Sequence, residues 1–351
     1  MKILVAMSGG VDSSVAAGVL REAGHEVVGA TLKLWGGASD SGCCSVSDVD
    51  DARRVAQILG VDHHVFNYTE EFERLVVAPY VSAHAAARTP NPCIECNRRI
   101  KFDLLVQRAR RLGFDALATG HHARVLRRGP RTHLARGLDA RKDQSYVLGF
   151  LDEATIETLV LPVGEMTKTE VREHARRLGL RTWDKPDSQD VCFIEASNGR
   201  AAFLGARLAL TPARVIDAAS GEDVGELAAA ELVTVGQRRG VAPGRDGERR
   251  YVARVELATR RVFVDRLEAV RTSRVHLEQA SLGFLHERPR EGAPVLVQFS
   301  AHGAAQPARL WVAGAARVEL DVPVRPVAAG QSAVFYDDED PSLVLGAGTV
   351  A

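Results

Sequence analysis

Ile3-Leu4-Val5-Ala6-Met7-Ser8-Gly9-Gly10-Val11-Asp12-Ser13-Ser14 reads as a strand, a glycine turn and the start of a helix. The apolar run Ile3 to Met7 fits a strand buried on both faces. Ser8-Gly9-Gly10 interrupts it. Val11 to Ala23 then carries Val11, Val15, Val19 and Leu20 at helical spacing, and Gly24 ends the helix. Glycines let an anion approach the backbone, and the following amides point out at the positive end of the helix dipole. Ser8, Ser13 and Ser14 add hydroxyl donors. Asp12 would repel a bare phosphate, but it suits a Mg²⁺ ion that bridges phosphates. A helix merely capped by Ser8 or Asp12 is the plainer alternative. Position after the first strand of an α/β sheet favours a nucleotide. The Lys of a Walker A loop is absent.

Strand and helix continue to alternate. Val27–Leu34 reads as a strand, Asp48–Leu59 as a helix, His64–Tyr68 as a strand, Ile100–Leu112 as a helix and Ala116–Thr119 as a strand. This implies an α/β fold, a parallel sheet with helices on both faces. Residues 152–180 turn helical, most clearly at Thr167–Leu178, where Thr167 and Glu170 suit a capping box. After about residue 205 short β-rich runs follow: Arg250–Glu256, Arg261–Asp265, Pro294–Phe299, Ala308–Val312 and Ser332–Tyr336. Antiparallel barrels produce that spacing.

A chain of 351 residues exceeds what one core usually serves, so two or three domains are expected. At 46% hydrophobic and 26% charged residues it can bury a core, which argues against disorder. No apolar run approaches the ~20 residues of a bilayer span. The first residues lack a signal-peptide pattern, so a cytoplasmic protein without membrane contact is expected. The 45 basic and 45 acidic residues cancel, which excludes a uniformly basic coat. Charge is nonetheless segregated. Residues 124–142 hold Arg124, Arg127, Arg128, Arg131, Arg136, Arg141 and Lys142 against Asp139, and residues 98–111 are similarly basic. Such stretches suit a polyanionic partner or a solvated helix face.

Cysteines stand at 43, 44, 93, 96 and 192. An odd count argues for reduced thiols rather than a disulfide framework. Cys93 and Cys96 follow the prolines of Thr89-Pro90-Asn91-Pro92. Cys96 lies just before the helix expected at 100–112, among arginines, and both features favour a thiolate. Cys43-Cys44 is poorly spaced to complete a zinc site with them. Cys192, within Asp187-Ser188-Gln189-Asp190-Val191-Cys192-Phe193-Ile194, would alone read as a small buried hydrophobe. Beside a second thiol and a nucleotide loop it suggests sulfur transfer, one thiol carrying a persulfide and the other resolving it.

Ser8–Ser14 resembles the SGGxDSS pyrophosphate loop of the N-type ATP pyrophosphatases, whose fold is adenine nucleotide alpha hydrolase-like. Adding Asn91–Phe102, Thr119–Arg124, Gly137–Tyr146, Leu161–Glu165, Asp187–Ile194, Val235–Gly240 and Gly330–Tyr336, the chain resembles the tRNA-specific 2-thiouridylase family over almost its full length. The resemblance implies three parts. Residues 1–205 would be the ATP pyrophosphatase domain, with a helical tRNA-binding part at about 150–190. Residues 206–272 would form a small central domain and 273–351 a β-barrel gripping tRNA. It implies ATP-driven adenylation of the C2 oxygen of the wobble uridine in tRNAs for Lys, Glu and Gln, bound by the anticodon arm. Sulfur would arrive on Cys192 from a cysteine desulfurase or relay protein. Cys96 would then attack, leaving a Cys96–Cys192 disulfide. Ala6, Met7, Ser8, Gly9, Gly10, Val11, Asp12, Ser13, Leu32 and Gly120 would line the ATP site, Asp12 binding Mg²⁺. Asn91, Pro92 and Cys93 would meet the flipped base, and Lys142, Asp143 and Gln144 the tRNA. No DNA partner is implied.

Two positions depart from the family pattern. Cys93 stands where many relatives carry an acid, so the general acid–base role is open there. Cys93, Cys96 and Cys192 could instead hold an iron–sulfur cluster. Gln298-Phe299-Ser300 stands where relatives carry an Arg–aromatic–Arg tRNA contact, so the phosphate clamp there would be weaker, or replaced by Arg309 or another neighbour. His121 and His122 read as a loop lining the nucleotide pocket rather than metal ligands. Trp35 and Trp183 read as core residues, and Cys43 and Cys44 as bystanders. The rival readings are an amide-forming ATP pyrophosphatase acting on a metabolite, and a tRNA-binding protein with a silent nucleotide site.

Overall fold

The computed structural model describes residues 1–35, 46–187, 191–194 and 199–351. Cys43, Cys44 and residues 188–190 of the Cys192 motif lie outside the described residues.

β1 (Lys2–Ala6) is the middle strand of a parallel five-stranded sheet. β2 (Glu26–Lys33) and β4 (Ala116–Thr119) flank it, with β3 (Asp62–Asn67) and β7 (Leu159–Val160) outside, in the order β3-β2-β1-β4-β7. The run Ile3-Leu4-Val5 is apolar throughout because successive side chains serve opposite layers. Ile3 and Val5 pack with Val15, Leu20, Val55 and Leu59 of helices α1 (Val11–Glu22) and α2 (Val46–Leu59). Leu4 packs with Phe72, Ile100 and Leu105 on the other face. Strand order reverses beside β1, since β2 and β3 lie on one side and β4 and β7 on the other. That opens a crevice at the strands' C-terminal ends.

Several expected elements differ. The helix expected from Ile100 already begins at Pro92 and runs to Arg111, with a π-helical stretch Cys96–Leu104. Its start was hidden because the decisive signal is a cap, Asn91, followed by Pro92 at the first helical position. Residues 69–85 form a further helix, also interrupted by a π turn, Glu73–Val77. The stretch 152–180 is not helical throughout, since β7 completes the sheet there. The basic stretch after residue 123 is no helix face but a hairpin, β5 (Ala123–Arg128) with β6 (Arg131–Arg136).

Beyond residue 212 the chain is β-rich, as expected. β8 (Ala213–Asp217), β9 (Asp223–Leu227), β10 (Tyr251–Glu256) and β11 (Arg261–Asp265) pair in the order β10-β11-β8-β9 around Val215, Val252, Val262 and Val264. The last sheet is antiparallel and seven-stranded. It comprises β12 (Thr272–His276), β13 (Gly283–Phe284), β14 (Ala293–Gln298), β15 (Gln306–Trp311), β16 (Arg317–Val324), β17 (Ser332–Tyr336) and β18 (Val344–Thr349). All of β17 is buried. Ala333 and Phe335 face this sheet's own core, while Val334 and Tyr336 join the core beneath the parallel sheet. One strand thereby belongs to two hydrophobic bodies. No helix among the described residues is long and apolar enough to cross a membrane.

Candidate nucleotide and thiol site

The phosphate loop is held by contacts that tolerate no side chain. Gly9 has φ +72°, and a Cβ there would lie 2.4 Å from the Asp48 carbonyl oxygen. Gly10 is the extended N-cap of α1. A Cβ on Gly120, just past β4, would come within 2.4 Å of the Ser13 nitrogen. Ala6 ends β1, and Met7 follows it buried, its N–H donating to Ala30 at 2.8 Å. Ser14 Oγ donates to the Gly10 carbonyl at 2.7 Å, and Ser8 N–H donates to Ser13 Oγ at 3.2 Å. Ser13 Oγ also donates to the Gly10 carbonyl and meets Ser8 Oγ, each at 3.3 Å, so all three expected hydroxyls brace the loop itself. Val11 is buried in the α1 core, and Leu32 packs in the core beneath β2.

The lysine missing from the loop is supplied from elsewhere. Thr167 caps the helix Lys168–Arg177 in a reciprocal capping box with Glu170. This places Lys168 at the first helical position, where its N–H donates to Asp139 at 3.0 Å. The Lys168 ammonium reaches both Asp12 oxygens at 2.7 Å and Asp187 at 2.8 Å. Asp187 also pairs with Lys142 at 2.7 Å and Arg172 at 3.3 Å. His122 Nε2 lies 3.1 Å from Asp12. Burial alone would push the Asp12 carboxyl up, but the His122 hydrogen bond and the Lys168 charge together hold it below its usual range. Asp187 shows the same contest, won by Lys142 and Lys168, and its pKa falls to about 2. Lys185 donates to the Gly9 carbonyl at 3.1 Å and to Asp48 and Asp51 at 2.7 Å. Burial lowers its pKa, but the two carboxylates raise it further. Lys168, Lys185 and Asp187 were missed as site residues. The N-cap expected at Thr167 and the motif that opens at Asp187 pointed to this place.

Asn91 accepts hydrogen bonds from the Cys93 and Ile94 amides at 3.1 and 3.4 Å. Its side-chain oxygen is engaged in building the thiol helix, and Pro92 is buried behind it. Cys96 therefore sits within the first helical turns, not ahead of the helix. Cys93 is exposed, Cys96 buried and Cys192 half-buried. Cys96 and Cys192 pack against one apolar cluster. Phe193 anchors the Cys192 segment there, with ring centroids 5.7 Å from Phe72, 5.5 Å from Tyr80 and 5.1 Å from Phe203. Among the described residues no three His, Cys, Asp or Glu side chains are gathered as a metal ion requires.

The segment Lys142–Tyr146 joins this site to the last sheet. Asp143, expected to face a ligand, instead turns inward. It accepts from the Gly137 and Ser145 amides at 3.0 Å and pairs with Arg136 at 2.8 Å. Arg136 stacks on Tyr336 at 3.6 Å and donates to Gln298 Oε1 at 3.0 Å. Tyr146 Oη donates to the Phe299 and Ser332 carbonyls at 3.1 Å. Gln144 accepts from the His122 amide at 2.9 Å, and Lys142 stays half-buried on Asp187. Gln298 is thus a buried joint residue rather than a weakened phosphate clamp. Arg309 lies on β15 and donates to the Gly292 carbonyl at 3.1 Å.

His121 is buried and bonded to Thr119 at 2.7 Å, and burial holds it neutral. Trp35 packs on Phe193 and Phe203, and Trp183 against the α1 core beneath Arg176.

A parallel sheet with a glycine phosphate loop at its order reversal, followed by two β modules, defines a nucleotide-binding α/β protein with β accessory domains. Residues 1–196 match the family model described as a tRNA methyl transferase HUP domain. Residues 201–266 match its PRC-barrel domain, and residues 274–350 an aminomethyltransferase β-barrel domain. The tRNA-specific 2-thiouridylase MnmA of Acidothermus cellulolyticus is 44% identical, with 100% of this chain and 98% of that protein covered. Those of Salinispora tropica and Chloroflexus aurantiacus are 43% and 42% identical, with 98–100% coverage of each chain. The chain belongs to the tRNA-specific 2-thiouridylase family.

Proposed function

We propose that the chain 2-thiolates uridine 34 of the tRNAs for Lys, Glu and Gln at the expense of ATP. The observation that carries this is the shared packing of Cys96 and Cys192 beneath the sheet whose β1 ends in the phosphate loop. A loop backed by Lys168 and Lys185 suits a nucleotide, and paired thiols suit sulfur. Methyl transfer, which the family model's description names, calls for neither. Residues 1–205 would be the catalytic part, with 150–190 meeting tRNA, 206–272 the central part and 273–351 the barrel that holds tRNA.

In this reading the uridine C2 oxygen attacks the α-phosphorus of ATP and pyrophosphate leaves. The terminal sulfur of a Cys192 persulfide, loaded by a protein donor, adds to C2, and the C2–O bond breaks to release AMP. Cys96 thiolate then attacks Cys192 Sγ. The S–S bond breaks toward the uridine, giving 2-thiouridine and a Cys96–Cys192 disulfide that an external thiol must reduce. Lys168 and Lys185 supply positive charge beside the phosphates.

Asp12 is the residue that would hold a Mg²⁺ ion, which would have to share or displace the Lys168 ammonium and His122 ring now on its oxygens. Asp12 offers a single carboxylate beside the loop, and such an ion ordinarily completes its shell with phosphate oxygens and water. It would neutralise phosphate charge. The persulfide route is preferred here to an iron–sulfur cluster on Cys93, Cys96 and Cys192, since among the described residues no three His, Cys, Asp or Glu side chains are grouped to hold a metal ion.

The test uses protein purified without air, unmodified tRNA-Glu, ATP–Mg²⁺ and a persulfide donor, with 2-thiouridine measured by mass spectrometry. Thiolation at position 34 that needs ATP and disappears in Cys192→Ser supports the reading. Thiolation retained in Cys192→Ser, or AMP release indifferent to tRNA, would overturn it.

A further inference from the structure

We propose that the loop at 236–240 of the central sheet is a rigid phosphate-binding tip. Arg238 and Arg239 would grip the backbone of the RNA substrate there. The proposal rests on the reading that this substrate is tRNA, and it adds a contact from the central part of the chain.

The loop is built to hold its shape. Gly236 has φ +82°, and a Cβ there would lie 2.7 Å from the Pro326 carbonyl oxygen, so the loop is seated directly on the last sheet's connecting segment. Gln237 fixes the turn from inside. Its Oε1 accepts from the Thr234 amide at 3.1 Å, and its Nε2 donates to the Arg239 carbonyl at 2.6 Å. Its backbone pairs with Val252 at 2.9 Å. The two arginines that follow are exposed.

Charge pairing separates them from their neighbours. Arg245 pairs with Glu222, Arg250 with Asp217 and Asp246, and Arg266 with Asp246 and Glu248. Those acids carry arginine partners of their own, and no ion pair to Arg238 or Arg239 occurs among the described residues. A pair of unneutralised guanidinium groups on a fixed turn needs little ordering to bind phosphates.

Location supplies the partner. Thr234, at the base of the loop, meets Thr89 Oγ1 at 3.3 Å, and the Thr89 amide donates to Ala329 at 2.8 Å. All three parts of the chain therefore meet at Thr89, two residues before the Asn91 cap of the thiol helix. A nucleic acid that delivers a base to that helix passes the tip.

The experiment measures tRNA-Glu binding to the full chain across roughly 50–300 mM salt, for wild type and for Arg238→Gln/Arg239→Gln. The expected result is a log–log salt slope shallower by about 1.5 and an affinity about tenfold lower near 0.15 M salt. ATP binding without tRNA should be unchanged, and Arg245→Gln should behave as wild type. Unchanged affinity and slope in the double variant, with wild type binding and thiolating normally, overturns the tip. So does an equal loss in Arg245→Gln, or a defect confined to sulfur transfer from a protein donor, which would assign the arginines to a protein. Wild type that binds no tRNA overturns the underlying functional reading instead.

Discussion

The Lys168 ammonium lies 2.7 Å from each Asp12 oxygen and 2.8 Å from Asp187, so one cation links the phosphate loop to the segment that leads to Cys192. Replacing Lys168 with Met leaves two carboxylates without their shared counterion and removes positive charge from the loop. Pyrophosphate release should fall by about 10²-fold or more, the scale of one lost transition-state donor. tRNA affinity should hardly change. Single-turnover AMP formation beside a tRNA-binding titration checks both halves.

Asp187 gives the acid limb of stability a definite sign. Its pKa is depressed to about 2 in the folded chain from an ordinary 3.8. A depressed carboxylate stabilises the fold above the unfolded value, and that contribution is lost as pH falls from about 4 toward 2. Neutral-range stability should be flat with respect to this group. Asp187→Asn should lower the melting temperature near pH 7 and narrow its gap to wild type below pH 4. A melting series from pH 2 to 8 reads this directly, and a constant gap would refute it.

Arg136 holds the joint between hairpin and last sheet. Arg136→Ala removes the stacking on Tyr336 and strands Asp143, whose side chain is 7% exposed. Breaking such a pair costs about 3–5 kcal/mol when fully buried, and about 2–4 kcal/mol is expected here because Arg136 is partly exposed. Urea unfolding should show that loss, with residues 273–351 becoming sensitive to protease first.

Gly120→Ala tests the packing of the loop on α1. The new methyl would sit 2.4 Å from the Ser13 nitrogen, a backbone atom that cannot swing aside. ATP binding should weaken at least tenfold, whereas tRNA binding persists. Calorimetric titration with a non-hydrolysable ATP analogue is the direct check.

The phosphate loop was legible because its pattern is local. Strand, glycines and helix start follow one another, and φ +72° at Gly9 is what a glycine there permits. The capping box at Thr167 was legible for the same reason. Lys168, Lys185 and Asp187 were not, because their roles arise from tertiary distances to Asp12, Gly9 and Lys142. Asp143 shows the opposite difficulty. Its motif was noticed, but only the fold shows that Arg136 and Ser145 turn it inward. The 69–85 helix was missed although Phe72, Val76, Tyr80 and His84 recur at helical spacing on its buried side, and the β5–β6 hairpin although Gly129-Pro130 marks its turn.

β17 faces two cores at once, and this bears on how the chain can be recombined. Its odd residues pack on the sheet of their own module and its even residues on the core beneath the parallel sheet. A chimera that takes residues 273–351 from one relative and the rest from another would graft a strand cut for a foreign host. Ser332, Val334 and Tyr336 would have to travel with their counterparts Tyr146, Gly149, Arg136 and Ser145. The last module is therefore grafted wood rather than a removable part, and its seam runs through β17 rather than through the linker before β12.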